Sequence, residues 1–245
     1  MRGVGAALLA VCAMALSACT TSPESIAAND PLEPMNRAVY SFDERFDQYV
    51  ILPIGWVYEF HTALPIRRGI HNVLLNLDAP MTFANDLLQG RPMHAGATLG
   101  RFAINSTFGL GGIVDLATPA GIPYHHADFG QTLGKYGMPE GPFLVLPVVG
   151  PDPPRDLVGD AVDLFAGPFL YVPAGAPLYE RVSVSIGISM ASPFEVHTRN
   201  IVLRRELEKG SVDPYVTMRS IYRQLRDEEI RDGLPPKDDP PSATK

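Results

Sequence analysis

Prolines and glycines interrupt this apolar chain along its whole length and limit what it can fold into. The 245 residues include 24 prolines and 22 glycines, although 46% of them are hydrophobic. A proline inside a helix or sheet removes a backbone donor and breaks the element. We therefore expect enough apolar surface for a core, short and often interrupted helices, and one large domain or two small ones.

The N-terminus has the pattern of a secretory leader that ends at a lipid-modified cysteine. Arg2 precedes an uncharged apolar stretch from Val4 to Leu16, which is too short to span a bilayer. Leu16-Ser17-Ala18-Cys19 then matches a bacterial lipobox. We predict that residues 1–18 are a removed signal peptide and that Cys19 carries acyl chains, enough for stable anchoring. The alternative is an ordinary cleaved signal with a chance cysteine.

Three further sequence features limit where the protein can be located and what it can bind. Thr20 stands where retention in the inner membrane usually requires Asp, so we expect the periplasmic side of the outer membrane of a Gram-negative cell. Cys12 leaves with the signal, so no free thiol remains for a disulfide, a metal site or nucleophilic catalysis. The net charge of -7 argues against nucleic acid as a partner.

A helix is predicted directly after a short tether. Residues 19–29 are mostly small and polar and form the lipidated tether, and a single domain is expected over 30–232. Asp30-Pro31-Leu32-Glu33 has the pattern of a helix start, with Asp30 as the N-cap. We expect Asn36 and Arg37 to make buried polar contacts on this helix. Its apolar stripe, predicted to pack against the body, consists of Met35, Val39, Phe42 and Phe46.

Three further helices follow from periodicity and from start and stop signals. One is expected to begin at Pro65 and to end at Asp78-Ala79-Pro80, and another covers 93–106. Asp213-Pro214 repeats the acid and proline of a helix start, and this last helix runs to about Ile230. The proline-rich end, 233–245, is predicted to be a disordered tail.

Two regions resist a regular assignment. From Phe108 to Pro154 glycines and prolines alternate with apolar residues without a sustained helical period, and 156–179 is similar, so irregular structure is expected. Residues 182–190 alternate strictly between apolar residues and Ser or Gly, which is typical of a strand. No second alternating run is present to pair with it, and we therefore predict a helix there. The fold class expected is all-α with an irregular, Gly/Pro-rich central segment.

The sequence offers little for catalysis, and we predict that the protein is not an enzyme. It has no nucleophile elbow, zinc-protease motif, P-loop or complete dinucleotide fingerprint. His125-His126 with Asp128 could suggest a metal, but adjacent side chains diverge and no further ligand cluster stands out, so no metal site and no cofactor are expected. The remaining acidic candidates have the pattern of caps and turn residues, namely Asp115, Asp128, Asp156, Asp160 and Asp163.

A physical role remains open beside the chemical ones. An anchored chain with broken apolar segments, none long enough to span, can lie in one leaflet of a bilayer. Irregular backbone at membrane depth is tolerated where it is packed in protein or lines a polar cavity. The apolar, glycine-rich segment from about Phe108 to Pro147 would suit such a lining. The alternative is a water-soluble core with Gly/Pro turns.

Motifs over nearly the whole mature chain resemble one family, the MlaA (VacJ) lipoproteins. They occur in the expected order and begin just after the lipobox. The motifs are Asp30-Pro31-Leu32-Glu33-Pro34-Met35-Asn36-Arg37 with Tyr40 and Phe42; Asn105-Ser106-Thr107-Phe108-Gly109-Leu110-Gly111-Gly112 with Asp115; Phe129-Gly130-Gln131-Thr132-Leu133-Gly134-Lys135-Tyr136-Gly137; Gly141-Pro142-Phe143, Leu146-Pro147, Gly150-Pro151 and Arg155-Asp156; and Asp213-Pro214-Tyr215 with Arg219 and Tyr222.

This resemblance implies a fold, a function and partners. The family forms a helical ring or disc in the inner leaflet of the outer membrane, usually beside trimeric porins. Its amphipathic channel removes mislocalised phospholipids from the outer leaflet, and a periplasmic lipid-binding protein passes them to an MCE-type ABC transporter, which maintains lipid asymmetry. Two alternatives stay open: a scaffold that only organises porins, and a lipid-degrading enzyme.

The resemblance also supplies candidate residues. We expect structural roles for the family-signature residues Asn36, Arg37, Tyr40, Phe42, Arg155, Asp156, Asp213, Pro214 and Tyr215. We place the channel in the central segment, where glycines allow close approach of backbone or lipid. The channel candidates are Gly109, Gly111, Gly112, Gly134, Gly137 and Gly141, with Phe143 and Leu146 as contacts for the lipid tails.

Overall fold

The computed structural model describes residues 22–171, 175–199 and 210–232. The predicted signal peptide, Cys19 and the predicted tail at 233–245 lie outside the described residues. Within them the chain is mainly helical, as the sequence predicts. The elements in chain order are α1 (Pro23–Ala27), α2 (Glu33–Phe46), a π-helix (Asp47–Ile51), α3 (Leu52–His61), α4 (Leu64–Leu88), α5 (Pro92–Thr107), α6 (Phe129–Lys135), β1 (Val145–Leu146), β2 (Gly150–Pro151), α7 (Pro154–Ala166), a 3-10 turn (Pro168–Leu170), α8 (Leu178–Arg199) and α9 (Pro214–Ile230).

The tether is folded in its second half. Ser22 caps α1 by accepting a hydrogen bond from the Ser25 backbone N–H at 3.1 Å. The Ser25 hydroxyl in turn donates to Glu33 Oε2 at 2.5 Å. These bonds connect the segment that follows the predicted anchor directly to the start of α2.

Two predictions about α2 are wrong. Asp30 is not the side-chain cap, because the helix begins at Glu33 after Leu32 and the fully buried Asp30 carboxylate bonds elsewhere. The apolar stripe does not pack as a whole either, since Met35 is 43% and Phe42 50% exposed. The face that does point inward carries Asn36, which is completely buried.

Proline changes the helices less than the sequence suggests. Pro80 lies inside the 25-residue α4 instead of ending it. The chain also stays helical from the π-helix through Pro53 into α3. Packing of α4 against α5 and α8 holds the long helix together across its proline. Tertiary contacts therefore override the local stop signal.

The predictions for the segments without a clear sequence pattern are confirmed in some parts and wrong in others. Residues 108–128 are irregular, as expected, but 154–166 form the helix α7, where broken structure was predicted. The helix predicted for 182–190 is confirmed as part of α8. Its alternating apolar residues Val184, Ile186 and Met190 are all more than 40% exposed, whereas Ser185 is buried. The alternating apolar residues are therefore spread around a helix and do not form one face of a strand.

The apolar core of the described residues is small. Phe143, Val145 and Tyr215 form it, with Val39 and Met218 packed against them. β1 and β2 pair antiparallel beside this core, with Val145 opposite Pro151. No helix among the described residues combines the length and the apolar composition that crossing a bilayer would require.

Candidate functional site

Polar side chains fill most of the interior that the structure describes. Twenty polar or charged residues are buried there, against nine apolar ones. At the same time large apolar side chains are exposed, among them Tyr49 (72%), Phe60 (68%) and Trp56 (55%). Because a buried polar group is costly unless it is hydrogen bonded, specific polar pairs must fix the interior.

One set of pairs, which we call the polar frame, joins α6, α7 and α9. It consists of Asp128, Arg155, Asp156, Tyr222 and Arg226. Arg226 donates to both oxygens of Asp128, at 2.6 and 2.7 Å, and to Asp156 at 3.0 Å. Arg155 donates to both oxygens of Asp156 at 3.0 Å, and the Tyr222 hydroxyl donates to Asp156 at 2.8 Å. Two carboxylates and two guanidinium groups thus compensate each other in the interior.

These contacts keep the two carboxylates ionised. Burial raises the pKa of Asp128, but hydrogen bonds from His126 and Arg226 outweigh burial and leave that pKa well below its ordinary value. The pKa of Asp156 is also lowered, because Arg155 and Arg226 outweigh its burial. Burial and the charge of Asp156 raise the pKa of Tyr222, which therefore stays a donor.

A second cluster connects the chain before α2 with α9 and β1. Asp30 accepts hydrogen bonds from Asn36 Nδ2 at 2.8 Å, from the Tyr215 hydroxyl and from Arg219 Nη1. Asn36 also donates to the Phe143 carbonyl at 2.9 Å and accepts from the Val145 N–H at 3.0 Å. Asn36 therefore makes the buried polar contacts that the sequence predicts.

The other signature residues on α2 and α9 lie around the same cluster. Asp213 accepts from the Val216 N–H as the cap of α9, which begins at Pro214 as predicted. Arg37 donates to Asp213 at 2.7 Å, but its side chain is 39% exposed and that of Asp213 38%. The pair lies near the surface, so the predicted buried contact of Arg37 is wrong. The rings of Tyr40 and Tyr215 meet edge-on at 5.9 Å.

An open cavity of about 960 Å³ lies between α2, the π-helix, the turn from β1 to β2, α8 and α9. Ligand pockets have volumes of about 300–1,000 Å³, so this cavity is at the large end of that range. Its apolar wall includes Phe46, Ile51, Leu52, Met190, Phe194, Met218 and Ile221. Its polar edge includes Asp43, Glu44, Arg45, Asp47 and Gln48. The cavity is therefore amphipathic.

The polar edge is acidic. It carries three carboxylates and a single guanidinium group among the described lining residues. Asp43 Oδ1 accepts from the Val148 N–H at 2.7 Å, which ties the edge to the β1–β2 turn. Burial raises the pKa of Asp43 above its ordinary value. Asp43 thus links the acidic edge to the loop that borders the cavity.

None of the eight channel candidates is among the described residues that line this cavity. The predicted segment 108–147 contributes Val145, and the rest of the lining comes from outside it. Phe143 is a wrong prediction as a tail contact, because its ring is fully buried and packs edge-on against Tyr215 and Tyr222 at 6.4 and 6.1 Å. Leu146 is half-buried in β1.

The candidate glycines lie in three separate places. Gly109, Gly111 and Gly112 form the turn after α5, where a side chain on Gly112 would place its Cβ 2.7 Å from Asn76 Cβ at a φ of 95°. Gly134 lies in α6, facing Ile230 of α9. Gly137 and Gly141 lie between α6 and β1, and both have positive φ. The described surroundings of these glycines are turns and helix contacts.

Sequence reasoning missed the cavity because its lining comes from four distant segments. One signal was available on α2, where Asp43 and Glu44 lie beside Phe46. The irregular π-helix that continues α2 turns this stretch along the cavity, and no sequence pattern predicted it.

Comparisons with known proteins agree over most of the chain. The model of the MlaA lipoprotein family matches residues 28–229. The intermembrane phospholipid transport system lipoprotein MlaA of Haemophilus influenzae is 32% identical over 232 residues, which cover 90% of this chain and 88% of that protein. The protein of the same name from Escherichia coli K12 is 30% identical over 243 residues, covering 97% and 90%.

A solved structure shows the same fold. It comes from work on the structural basis for maintenance of bacterial outer membrane lipid asymmetry, with a TM-score of 0.71 and 29% sequence identity. The match covers 82% of this chain and 98% of that chain. Since the family model spans the signature residues from Asp30 to Tyr222, the chain belongs to the MlaA lipoprotein family.

Proposed function

We propose that this protein is an outer-membrane lipoprotein that removes mislocalised phospholipids from the outer leaflet and passes them to a periplasmic carrier. The amphipathic cavity between α2, α8 and α9 is the observation that carries the proposal. The relatives from Haemophilus influenzae and Escherichia coli are named as lipoproteins of an intermembrane phospholipid transport system, which supports it.

The free energy of lipid extraction explains why such a cavity is needed. A two-chain phospholipid exposes about 30 methylenes when it leaves a bilayer, at a cost of about 25 kcal/mol if all of them meet water. The apolar wall, with Phe46, Met190 and Ile221, can keep the tails out of water. The acidic edge offers polar contacts to the headgroup. No nucleotide-binding motif is visible, so a partner must supply the energy that gives the flow its direction.

The outer surface supports a position inside one leaflet. The exposed side chains of Trp56 and Phe60 lie together, with ring centroids 4.7 Å apart. Gly55 of the same helix is buried and faces Thr198 of α8. A helix with one face in protein and an aromatic outer face suits the boundary between headgroups and acyl chains.

The anchor and the partners complete the proposal. Acylated Cys19 would hold the chain on the periplasmic side of the outer membrane. A trimeric porin is the proposed neighbour within the membrane, and a soluble lipid-binding protein of an MCE-type ABC transport system is the proposed recipient. The protein itself would hydrolyse nothing.

A deletion strain tests the function against its alternatives. Transport predicts that phospholipid accumulates in the outer leaflet while porin trimers stay normal. Disturbed porin trimers, with lipid asymmetry intact, would instead favour the scaffold. Loss of a lysophospholipid product would favour a lipid-degrading enzyme. Cys19→Ala should reproduce the deletion, whereas Cys12→Ala should be silent because Cys12 is removed with the signal peptide.

Single cysteines test whether the cavity is the passage. Ile221 lines the cavity, and Leu225, one turn further along α9, does not. After labelling with a bulky charged thiol reagent, Ile221→Cys should lose lipid transfer, whereas labelled Leu225→Cys should keep it. A third variant, Leu110→Cys, lies in the originally predicted segment and is 71% exposed. If labelling at 110 blocks transfer and labelling at 221 does not, the passage lies in the central segment.

A further inference from the structure

Three side chains with metal-binding atoms meet where α4, α5 and the irregular segment 108–128 come together. Asp86 lies near the end of α4, His94 in the first turn of α5, and His125 shortly before α6. One ligand atom from each lies within 4.8 Å of the other two. His125 Nε2 is 2.8 Å from Asp86 Oδ2, and the two imidazole rings pack with centroids 4.8 Å apart.

The Asp86 carboxylate is incompletely satisfied. Its side chain is fully buried, and Oδ2 accepts from the Thr98 hydroxyl at 2.9 Å. Oδ1 is buried and has no hydrogen-bond partner among the described residues. Arg101, one turn beyond Thr98, donates instead to Asp115 and Thr118. A buried carboxylate oxygen without a partner is costly, and a cation would remove that cost.

We propose that Asp86, His94 and His125 form a Zn²⁺ site. Two imidazoles and a carboxylate are a typical zinc ligand set, with a fourth position left for solvent. Tetrahedral zinc with bonds of about 2.0–2.2 Å holds its ligand atoms about 3.4 Å apart. His125 Nε2 and Asp86 Oδ2, now 2.8 Å apart, must therefore separate slightly, whereas His94, whose ligand atom lies within 4.8 Å of the other two, must move closer. The exposed His94 side chain can provide this movement by rotation, and it opens the site to solvent. The Thr98 hydroxyl orients the carboxylate as an outer-shell partner.

Sequence reasoning considered a different set and rejected it. It grouped His125 with His126 and Asp128. His126 does lie between Asp128 and Asp78, with Nε2 3.5 Å from Asp128 Oδ2 and Nδ1 3.1 Å from Asp78 Oδ2, but His125 Nε2 faces Asp86 instead. His94, which completes the set, lies 31 positions before His125 and carries no local signal. A bound Zn²⁺ would link the end of α4 and the start of α5 to the segment that leads into Asp128 of the polar frame.

Calorimetric titration with ZnCl₂ tests the site. It uses the full mature protein in detergent, without a polyhistidine tag. The wild type should bind one Zn²⁺ per chain, and His94→Ala should weaken binding at least about tenfold. His61→Ala is the matched control, because His61 is exposed and its ring bonds to the Val57 carbonyl of its own helix. That variant should bind like the wild type.

Thermal unfolding with and without Zn²⁺ gives a second measurement. Zn²⁺ should raise the Tm of the wild type and of His61→Ala. It should not raise the Tm of His94→Ala or of His94→Gln, whose side chain is closer in size to histidine. Circular dichroism before titration establishes that both His94 variants are folded. Absence of Zn²⁺ binding by the wild type, or undiminished binding by folded His94 variants, overturns the proposal. Both results are independent of lipid transfer.

Discussion

The polar frame and the outer face formed by the π-helix, α3 and the start of α4 differ in which side chains they bury and which they expose. The frame buries charged groups and satisfies them with one another. The outer face, which we call the apolar rim, presents large side chains away from the protein. The rim consists of Tyr49, Trp56, Val57, Phe60, Leu64 and Ile66, all at least 48% exposed. A domain surrounded by water usually has the reverse distribution.

The difference separates what fixes the fold from what faces its surroundings. In the frame, position is set by directional bonds that only one arrangement satisfies. In the rim, apolar surface stays exposed, and a membrane or a partner protein can cover it. Changes in the frame should therefore act on the free energy of unfolding. Changes in the rim should act on membrane binding.

The largest expected effect is that of Arg226→Ala. The change leaves Asp128 and Asp156 without their shared guanidinium partner inside the protein. Removing one member of a buried ion pair costs about 3–5 kcal/mol. Equilibrium unfolding of the detergent-solubilised protein in urea should show this loss. The adjacent Leu225→Ala, on an exposed position, is the control, and equal losses for the two variants would mean that the frame does not fix the fold.

A smaller loss is expected from Tyr215→Phe in the second cluster. The variant removes one hydrogen bond to the buried Asp30 carboxylate, which keeps its bonds from Asn36 and Arg219. A hydrogen bond to a charged group contributes about 1.5–3 kcal/mol. The same urea titration measures it. A loss as large as that of Arg226→Ala would show that this cluster, and not the frame, dominates stability.

The two Asp-Pro pairs show how far local sequence patterns reach. Asp213-Pro214 behaves as its local pattern predicts, because the cap and the helix lie within four residues. Asp30-Pro31 has the same pattern, but Arg219 and Tyr215 take the Asp30 carboxylate. Those partners are about 190 positions away in the sequence, so a pattern of neighbouring residues cannot predict them. Helix α5 and the last helix were likewise predicted well, because their signals are local.

The rest was missed because the usual assumption of apolar residues inside does not hold here. It placed Phe42 in the core, whereas Phe42 is half exposed and stacks on Phe46. It also did not predict a cavity beside the carboxylates of α2. The family resemblance predicted the fold class, but the position and lining of the cavity are visible only in the three-dimensional structure.

The free energy of unfolding should depend on pH because of Asp152, a carboxyl group that senses the charges of Asp156 and Arg226 in the polar frame. Burial, followed by the charges of Asp160 and Asp156, raises the pKa of Asp152 to about 7, while Arg226 opposes this shift. Between pH 4 and 7 the folded state then holds a proton that the unfolded state has lost. Stability therefore falls as pH rises through this range, by at most about 1.4 kcal/mol per pH unit for one group.

The variant Asp152→Asn isolates this contribution. It should flatten the fall between pH 4 and 7 and be more stable than the wild type above pH 7. Part of the slope should remain up to about pH 6, because burial also raises the pKa of Asp163 to about 6. Unfolding free energies measured in urea at each pH provide the comparison. Identical slopes for the wild type and the variant would contradict the assignment.

The smallest effect on stability is expected in the rim. Phe60→Ser should change the free energy of unfolding by less than about 0.5 kcal/mol, since the ring is 68% exposed. Its effect should appear instead in flotation with phosphatidylcholine vesicles, in a Cys19→Ala background that removes the predicted anchor. Burying a Phe side chain contributes about 1.5–3 kcal/mol, so vesicle binding should weaken about tenfold or more. The exposed Arg68→Ser is the control and should bind like its parent; equal binding by Phe60→Ser would place the membrane contact on another face.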